Sequence, residues 1–217
     1  CLIEQIRSDA TDFADHPDVV VRRTTYRFGT GTGTDAVDNG GNVGMLIESC
    51  LIHDFPDKGV SIAALSHGTI VRNSLIYNAT YGISAYAASN CVFEQNTLVN
   101  CTNGIAAYVR AGFPGPGLAA TTNNIVWGNT TNIFLASGGA VTAAYCDIQG
   151  TNWRGAGNLS LDPMFLDAAQ HDYRLHPDSP LRFAGAGDQD MGVVFPVGGI
   201  PPAPFNLALA CLFALLF

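Results

Sequence analysis

Short apolar runs alternate with clusters of Gly, Asn, Ser and Asp along the chain, and this pattern returns about every 23 residues. Within a unit, apolar positions such as Val60 and Ile62, or Ile83 and Ala85, are separated by one small or polar residue. Such alternation is typical of β-strands that bury one face, and no window carries a sustained helical stripe. The pattern therefore predicts an all-β protein made of a repeated unit with several strands.

Two independent columns of positions align the units. The first has spacings of 23, 23, 22 and 28 residues and consists of Ala36, Gly59, Gly82, Gly104 and Asn132. The second has spacings of 24, 23, 27 and 22 residues and consists of Ser49, Asn73, Asn96, Asn123 and Tyr145. One such unit cannot bury its own apolar side chains, so the units are expected to stack on a common core. The stacked core positions are predicted to be Val37, Val60, Ile83, Ile105 and Ile133.

This stacked repeat resembles the right-handed parallel β-helix of the pectate-lyase-like superfamily over about residues 11–150. The resemblance implies a solenoid with rungs of about 22–28 residues over residues 1–150, with incomplete N-terminal rungs and a non-repetitive C-terminal cap. Leucine-rich repeats share the period, but their Leu-x-x-Leu-x-Leu framework is absent here. A β-sandwich is the structural alternative.

The asparagines of the second column are expected to be scaffold rather than site. Amide side chains at Asn73, Asn96 and Asn123 can hydrogen-bond along the column at a tight turn, and Asn tolerates the left-handed backbone conformation that such turns require. The sequence therefore predicts a structural amide ladder.

The repeat stops after Gly150, and residues 151–192 are predicted to form a cap over the last rung, because an open β-helix end is an exposed strand edge. This stretch is similar to the closing region of bacterial β-helix proteins of the choice-of-anchor Q type. The matching residues are Asp162, Pro163, Phe165, Asp167, Asp172, Tyr173, Arg174, Leu175, Pro177, Ser179, Pro180, Ala184, Gly185, Asp190 and Gly192. Those proteins continue from Ser-Pro into Ala-Ile-Asp, whereas this chain has Leu181, Arg182 and Phe183, so no role is carried over for that Asp.

Residues 193–206 form a predicted Pro/Gly linker, and residues 207–217 form an uncharged apolar tail. The tail is shorter than the roughly 20 residues that span a bilayer as a helix. We interpret it as a truncated membrane or sorting segment or as a frame-end artefact, with a strand packed on the cap as the other alternative. Together with the resemblance, this predicts an extracellular or cell-surface bacterial protein that is attached to the membrane or cell wall through its C-terminus.

Composition limits the partners. Charged residues make up 13% of the chain, the net charge is −8, and Lys58 is the only lysine. A phosphate backbone needs clustered basic residues, so no nucleic-acid partner is expected. None of the six cysteines has zinc-site spacing, and Cys50 and Cys146 fall four rungs apart, too far for a disulfide. Buried free thiols are therefore expected.

Aspartates cluster in the N-terminal rungs. A register of 26 residues places Asp12 beside Asp38, with Asp35, Asp57 and Lys58 near the same strands, whereas a register of 23 would pair Asp12 with Asp35. We prefer the 26-residue register, because it also overlays apolar positions. Neighbouring carboxylates need a cation, a proton or Lys58 to offset their repulsion. Calcium prefers such oxygen ligands, so Asp12, Asp35, Asp38 and Asp57 are a candidate calcium site, with ordinary solvated aspartates as the alternative.

The resemblance to β-helix polysaccharide lyases implies a catalytic role for two of these residues. In those enzymes, carboxylates hold calcium, and a Lys or Arg removes the proton α to a uronate carboxylate. Lys58 and Asp38 are the candidate catalytic residues here. A glycosidase would also need two positioned carboxylates, but the motif set of the polygalacturonases is not reproduced in this sequence.

A second candidate surface lies on the central rungs. Tyr86 and Tyr108 fall one rung apart, where they can stack on sugar rings, and Arg110 can pair with a carboxylate or sulfate of an acidic glycan. The Gly- and Pro-rich stretch of residues 111–119 is expected to form a loop beside them. An ordinary exposed aromatic pair is the alternative.

Two functions remain open at this point. The first is a secreted or surface-attached module that binds polysaccharide or is presented on it without chemistry. The second is a calcium-dependent polysaccharide lyase, or a related glycan-processing enzyme, that acts on acidic polysaccharide. The first is favoured, because the outward positions of the central rungs lack an acid, a base and a cation.

Overall fold

The computed structural model describes residues 1–63, 65–87, 89–113, 115–150 and 153–195. Strands β1 to β6 are Leu2–Glu4, Thr11–Ala14, Val20–Arg22, Thr25–Arg27, Val37–Gly40 and Leu46–Glu48. Strands β7 to β12 are Leu51–Ala63, His67–Arg72, Leu75–Tyr86, Asn90–Glu94, Thr97–Val99 and Asn103–Tyr108. Strands β13 to β19 are Leu118–Thr122, Ile125–Trp127, Thr131–Leu135, Ala140–Ala144, Asp147–Ile148, Phe165–Asp167 and Asp172–Leu175. A single 3-10 turn in these ranges spans Ala168–Gln170.

The strands β1 to β17 stack in parallel on three faces of a solenoid of about six turns. The first face contains β1, β4, the beginnings of β7 and β9, then β11, β14 and β17. The second face contains β2, β5, the ends of β7 and β9, then β12 and β15. The third face contains β3, β6, β8, β10, β13 and β16. The all-β parallel solenoid predicted from the repeat is confirmed.

The strand register confirms the first column and the 26-residue alignment of the N-terminal rungs. Asp12 lies opposite Asp38, and Val21 lies opposite Ile47. The predicted core stack is also continuous, from Val37 through Val60, Ile83 and Ile105 to Ile133. The apolar periodicity therefore fixes which polar residues become neighbours across rungs.

Glycine recurs in the first column because the backbone of the next rung passes close to it. A Cβ atom at Gly59 would lie 2.7 Å from the carbonyl oxygen of Gly82, and one at Gly82 would lie 2.6 Å from that of Gly104. Since such distances are shorter than any normal carbon–oxygen contact, a larger residue would push the rungs apart.

The second column was aligned wrongly at one rung. Thr97 lies opposite Leu75 and Ile125, so the preceding residue, Asn96, is not at the turn position of the column. The turn positions have positive φ and are occupied by Ser49, Asn73, Gln95, Asn123 and Tyr145. The sequence offered two adjacent amides, Gln95 and Asn96, and only the backbone ladder distinguishes them.

Asn96 instead belongs to a buried column one residue further along. Its Oδ1 atom accepts a hydrogen bond from the backbone N of Ser74 at 2.9 Å, and its own backbone N donates to Oδ1 of Asn124 at 2.6 Å. Its Nδ2 atom donates to the carbonyl of Val71 at 2.8 Å. These amides satisfy buried backbone groups at the corner between two faces, where the strand ladder is interrupted.

Along the turn positions, Asn123 Nδ2 donates to Gln95 Oε1 at 3.3 Å and Asn73 Nδ2 donates to Ser49 Oγ at 3.0 Å. The prediction that Asn96 joins these amides was wrong, because its side chain points inward.

Four of the cysteines are buried free thiols, as expected: Cys50, Cys91, Cys101 and Cys146. Cys1 is exposed, and Cys211 lies outside the described residues. Burial raises the pKa of Cys50 to about 11 and that of Cys101 to about 12. These thiols are therefore inert components of the core.

The sequence predicts that the whole C-terminal segment covers the last rung, but the structure shows that most of it lies elsewhere. Only its first part covers that rung: Trp153 packs on the core and Leu159 bridges to Asp147. The remainder, including the antiparallel pair β18 and β19, packs along the outward side of the first face. That side presents apolar residues such as Leu75 and Val99, and covering them removes apolar surface from water.

The side chains at the turn positions Asn73, Gln95 and Asn123 hold residues 186–194 on this face. Asn123 Oδ1 accepts a hydrogen bond from the backbone N of Ala186, and Asn73 Oδ1 accepts one from the backbone N of Val194, each at 2.7 Å. Gln95 Nε2 donates to the carbonyl of Gly192 at 2.7 Å. The amides at these turns therefore join the C-terminal segment to three successive rungs.

Asp147 is a buried carboxyl group where this segment leaves the last rung. Its Oδ1 atom accepts the backbone N of Leu161 at 2.9 Å, and its Oδ2 atom has no hydrogen-bond partner within the described ranges. Burial raises the pKa of Asp147 to about 6, and the nearby Asp162 also raises it.

No helix in the described part of the chain is long and apolar enough to cross a membrane. The predicted tail, residues 207–217, and most of the predicted linker lie outside the described residues. The prediction of a C-terminal anchor therefore stays a prediction.

Asn123→Ala is expected to lower the free energy of unfolding by about 2 kcal/mol. The substitution removes the side-chain acceptor of the part-buried backbone N–H of Ala186 and places Ala at positive φ. Asn90→Ala, at an exposed position on β10, is the matched control and should cost less than about 0.5 kcal/mol. Urea unfolding measures both variants, and equal losses would contradict the proposed attachment.

Asp147→Asn is expected to reduce the pH dependence of stability. The folded-state pKa of about 6 lies above the ordinary value of 3.8, so this group stabilises the fold at low pH and the contribution is lost as pH rises through 6. The amide keeps an acceptor for Leu161 and cannot ionise. The wild type loses unfolding free energy as the pH rises from about 5 to about 8, and in the variant this loss should be smaller by about 1 kcal/mol. Asp188→Asn, at an exposed position, should leave the wild-type slope unchanged.

Candidate functional site

The predicted site residues converge on the outward side of the second face. We call this cluster the polar patch, and it consists of Asp12, Asp35, Asp38, Asp57, Lys58, Ser61, Tyr86, Tyr108 and Arg110. Strands β2, β5, β7, β9 and β12 supply all of these residues except those in the turns before β5 and after β12. The acidic cluster and the tyrosine surface, which the sequence treats as separate candidates, thus lie on one face and form one candidate site.

Alternation along the strands places this set outside the core. Val60 and Ile62 point inward, so Ser61 between them points outward, opposite Asp38 on the preceding rung and Ser84 on the next. Ala106 continues the column. Because these outward residues are small, the larger side chains beside them close over the column and bury it.

Lys58 is held by two carboxylates at the base of the patch. Its Nζ atom lies 3.4 Å from both oxygens of Asp35 and also contacts Oδ2 of Asp57. Its backbone N donates to Asp35 Oδ1 at 2.9 Å. Although burial alone would lower it, the pKa of Lys58 is raised, because the two carboxylates stabilise the ammonium form. An ammonium group held in this way is a poor base, so the geometry does not favour the proton-abstracting role predicted for Lys58.

Asp35 is 4% exposed and lies deeper in the patch than Asp57. Burial raises the pKa of Asp35 to about 7, against the opposing effect of Lys58. The ammonium of Lys58 lies closer to Asp57 than to Asp35, so its positive charge offsets less of the negative charge of Asp35. Asp35 is therefore the member of this group that gains a proton near neutral pH.

Asp38 is half-buried and incompletely paired. Burial raises its pKa, the side chain of Ser61, which lies opposite on the next rung, lowers it, and the nearby Asp9 and Asp12 raise it again. Its Oδ1 atom has no hydrogen-bond partner among the described residues. This oxygen is therefore an acceptor that the chain itself does not satisfy.

Tyr86 lies at the centre of the patch and is only 2% exposed. Its ring stacks on Tyr108 at a centroid distance of 5.1 Å, and its hydroxyl lies 2.8 Å from Ser61 Oγ. The exposed Arg110 donates to that hydroxyl at 3.3 Å, and its guanidinium carbon lies 5.5 Å from the Tyr86 ring centroid. Tyr86 thus has no free ring face for a sugar, and only the half-buried Tyr108 remains for the predicted stacking.

The carboxylates do not fit the predicted calcium site well. The ammonium of Lys58 already occupies the position between Asp35 and Asp57 where a cation would offset their charge. No group of three or more His, Cys, Asp or Glu side chains in the described ranges is arranged to hold a metal ion. The calcium site therefore stays a prediction, and no chemical step is derived from a metal.

Sequence reasoning did not identify Ser61 as a candidate site residue. A signal for Ser61 was present in the alignment, which places it opposite Asp38 on the preceding rung. The alignment also places Ala63, two residues after Ser61, on the rung before Tyr86. What the alignment could not supply was the rotamer of Tyr86, which brings its hydroxyl back over Ser61.

Sequence reasoning also missed an aromatic stack on the first face. Tyr77 lies between His53 and His171, with ring centroids 4.7 Å and 4.8 Å away, and Tyr173 contacts the same ring. His53 Nδ1 lies 2.7 Å from Oδ2 of Asp54. Because His171 and Tyr173 come from the C-terminal segment, this cluster joins that segment to the solenoid.

The stacked parallel rungs and the polar column on one face define a protein of the β-helix class. A family model described as "Right handed beta helix region" matches residues 1–148, which is more than half of the chain. The chain therefore belongs to the right-handed beta helix family. No curated protein and no solved structure matches it. The finer resemblances, to the pectate-lyase-like superfamily and to choice-of-anchor Q proteins, stay predictions.

Lys58→Met is expected to destabilise the protein by about 3 kcal/mol at about pH 8, because it leaves the buried Asp35 carboxylate without its cation. The loss should be about half as large at about pH 5, because Asp35, with a folded-state pKa of about 7, is protonated there. The double variant Asp35→Asn, Lys58→Met is the control and should recover most of the stability at about pH 8. Urea unfolding at the two pH values tests this, and a pH-independent loss in the single variant would contradict it.

Proposed function

We propose that this chain is a carbohydrate-binding module whose site is the polar patch, and that it works as a secreted or surface-attached bacterial protein. The observation that carries the proposal is the Oδ1 atom of Asp38, a buried acceptor without a partner in the described part of the chain. Such an atom costs about 1–3 kcal/mol unless a water or a ligand completes it. A sugar hydroxyl is a donor of the required kind.

Other members of the polar patch support a polyhydroxylated ligand. Arg110 is exposed and has guanidinium donors besides the one that contacts Tyr86, so donor and acceptor groups face the same surface. Tyr108 is half-buried and offers part of its ring to the apolar side of a sugar. Convergent polar groups beside an aromatic side chain are what a small-molecule site requires.

The charge distribution favours a particular placement of an acidic glycan. Arg110 attracts a carboxylate or sulfate and can bind it with two parallel hydrogen bonds. Asp9 and Asp12 repel the same groups near Asp38, where they already raise the pKa of that carboxyl. The anionic group of a bound glycan is therefore assigned to the Arg110 end, and uncharged hydroxyls are assigned to the Asp38 end.

Glycan cleavage is the second candidate function, and the raised pKa of Asp38 is the observation that favours it. A carboxyl group with a raised pKa that lies beside a ligand is a candidate to exchange a proton with it. In this alternative Asp38 is the catalytic acid or base. Lys58 contributes only charge, because its ammonium form is stabilised.

Binding is tested by calorimetry with oligogalacturonate and with a neutral glucan oligomer as probes. Asp38→Ala, which removes the acceptor, should weaken binding of both probes about tenfold, which corresponds to about 1.4 kcal/mol. Arg110→Gln should weaken binding of the acidic probe by a similar factor and affect the neutral one less.

The matched controls are Arg22→Gln, at an exposed position on the third face, and Asp188→Asn in the C-terminal segment. Neither should change the affinity. If the wild type binds neither probe, or if the controls weaken binding as much as the patch variants do, carbohydrate binding at the patch is wrong. Absorbance of an unsaturated product that appears with the wild type and is lost in Asp38→Asn would favour cleavage over binding alone.

A further inference from the structure

An aliphatic column runs along the outward side of the third face. Val20 of β3 lies opposite Leu46 of β6, which lies opposite Ile70 of β8, and Ile70 lies opposite Val92 of β10. Val20 is 47% exposed, and the other three side chains are half-buried. Single exposed aliphatic residues are ordinary on a protein surface, but an unbroken series over four rungs is an apolar surface of the kind that marks an interface.

A charged column of alternating sign lies beside the aliphatic column, two residues further along each strand. Its members, in the order of the rungs, are Arg22, Glu48, Arg72 and Glu94. Arg72 pairs with Glu48 at 2.7 Å within the chain. The end members, Arg22 and Glu94, are exposed, and the described part of the chain offers neither of them an ion-pair partner. The column therefore leaves a positive charge at one end and a negative charge at the other.

A series of alternating charges has the opposite sign at each position when it is reversed, so it is complementary to an antiparallel copy of itself. A two-fold axis parallel to the strands, between β6 and β8, places β8 of a second copy over β6 and its β10 over β3. Glu48 then faces the partner's Arg72, and Arg22 faces the partner's Glu94. Each of these contacts occurs twice, as in any interface with two-fold symmetry.

The aliphatic column fits the same two-fold axis. Leu46 lies over the partner's Ile70, and Val20 lies over the partner's Val92, so apolar side chains meet on all four rungs. A shift of one rung would instead place Glu48 over the partner's Glu48. Because like charges facing each other are strongly unfavourable, the charged column selects the register in which the aliphatic residues also match.

We propose that the third face is a two-fold interface between two copies of this chain, with their solenoid axes antiparallel. The occupant is a second copy, because the charged column matches its own reverse. Four strands about 4.8 Å apart and about 17 Å long give an overlap of roughly 300 Å² per copy. A stable specific interface buries about 800 Å² per copy, so this dimer is weak and reversible.

The interface leaves the polar patch open. Strands of the third face begin at the corner that adjoins the second face, so an axis parallel to them keeps both second faces on the same side of the dimer. A long polysaccharide can then contact two patches at once, whereas short oligomers occupy each patch singly. This consequence rests on the proposed function, but formation of the dimer does not and is tested without a ligand.

Self-association is tested by sedimentation of the wild type over a concentration series up to about 1 mM, which covers weak dissociation constants. Arg22→Glu places a negative charge opposite the partner's Glu94 and should raise the Kd about tenfold or more. The double variant Arg22→Glu, Glu94→Arg exchanges the two charges and should restore association. Because the two positions lie three rungs apart in one chain, only a contact between copies explains such a rescue.

Arg154→Glu is the matched control, because it changes the net charge equally at an exposed position in the C-terminal segment. It should associate as the wild type does. A wild type that stays monomeric throughout the series overturns the proposal and leaves the third face to another partner or to solvent. A double variant that associates as weakly as Arg22→Glu also overturns it.

The antiparallel orientation is tested with a short bismaleimide cross-linker in a Cys1→Ser, Cys211→Ser background. The positions of Val20 and Val92 lie three rungs apart in one chain but face each other across the proposed interface. A mixture of the variants Val20→Cys and Val92→Cys should therefore give a covalent heterodimer, identified by its mass, whereas each variant alone should give little. Efficient cross-linking of either variant with itself would overturn the antiparallel arrangement.

Discussion

The parallel backbone ladder is the constraint on which the rest of this structure depends, because it determines which side chains become neighbours. Strands on successive rungs lie about 4.8 Å apart, so each outward residue has one neighbour on either side along the solenoid. Ser61 meets Asp38 because Val60 is held opposite Val37 in the core. The chemistry of the polar patch therefore follows from the spacing of the apolar residues.

The same ladder creates an electrostatic problem, since it brings carboxylates of neighbouring rungs together. From the sequence, a bound calcium ion is one candidate solution, and that site stays a prediction. Within the cluster, the only lysine of the chain, Lys58, lies between Asp35 and Asp57, and the burial of Asp35 leaves it able to hold a proton near neutral pH. The ammonium and the proton offset the charge of these two carboxylates.

The sequence predicted the solenoid and the convergence of Asp12 with Asp38, because apolar periodicity is a strong signal that repeats on every rung. It failed at Asn96, where adjacent amides gave two alignments of equal quality. It also failed for Ser61 and for the C-terminal segment. The role of Ser61 depends on one rotamer of Tyr86, and the position of residues 186–194 depends on contacts without any period. Neither leaves a pattern in a single sequence.

A comparison of the three faces of the solenoid explains why the proposed ligand site is placed on the second face. On the first face, the turn amides and the apolar residues are covered by the C-terminal segment. On the third face, Arg72 pairs with Glu48 across rungs at 2.7 Å. Two carboxylate oxygens of the described chain are buried without a partner: Oδ2 of Asp147 lies where the C-terminal segment leaves the last rung, and Oδ1 of Asp38 lies in the outward column of the second face. Because a buried acceptor is costly to leave unsatisfied, the argument for a ligand is strongest on that face.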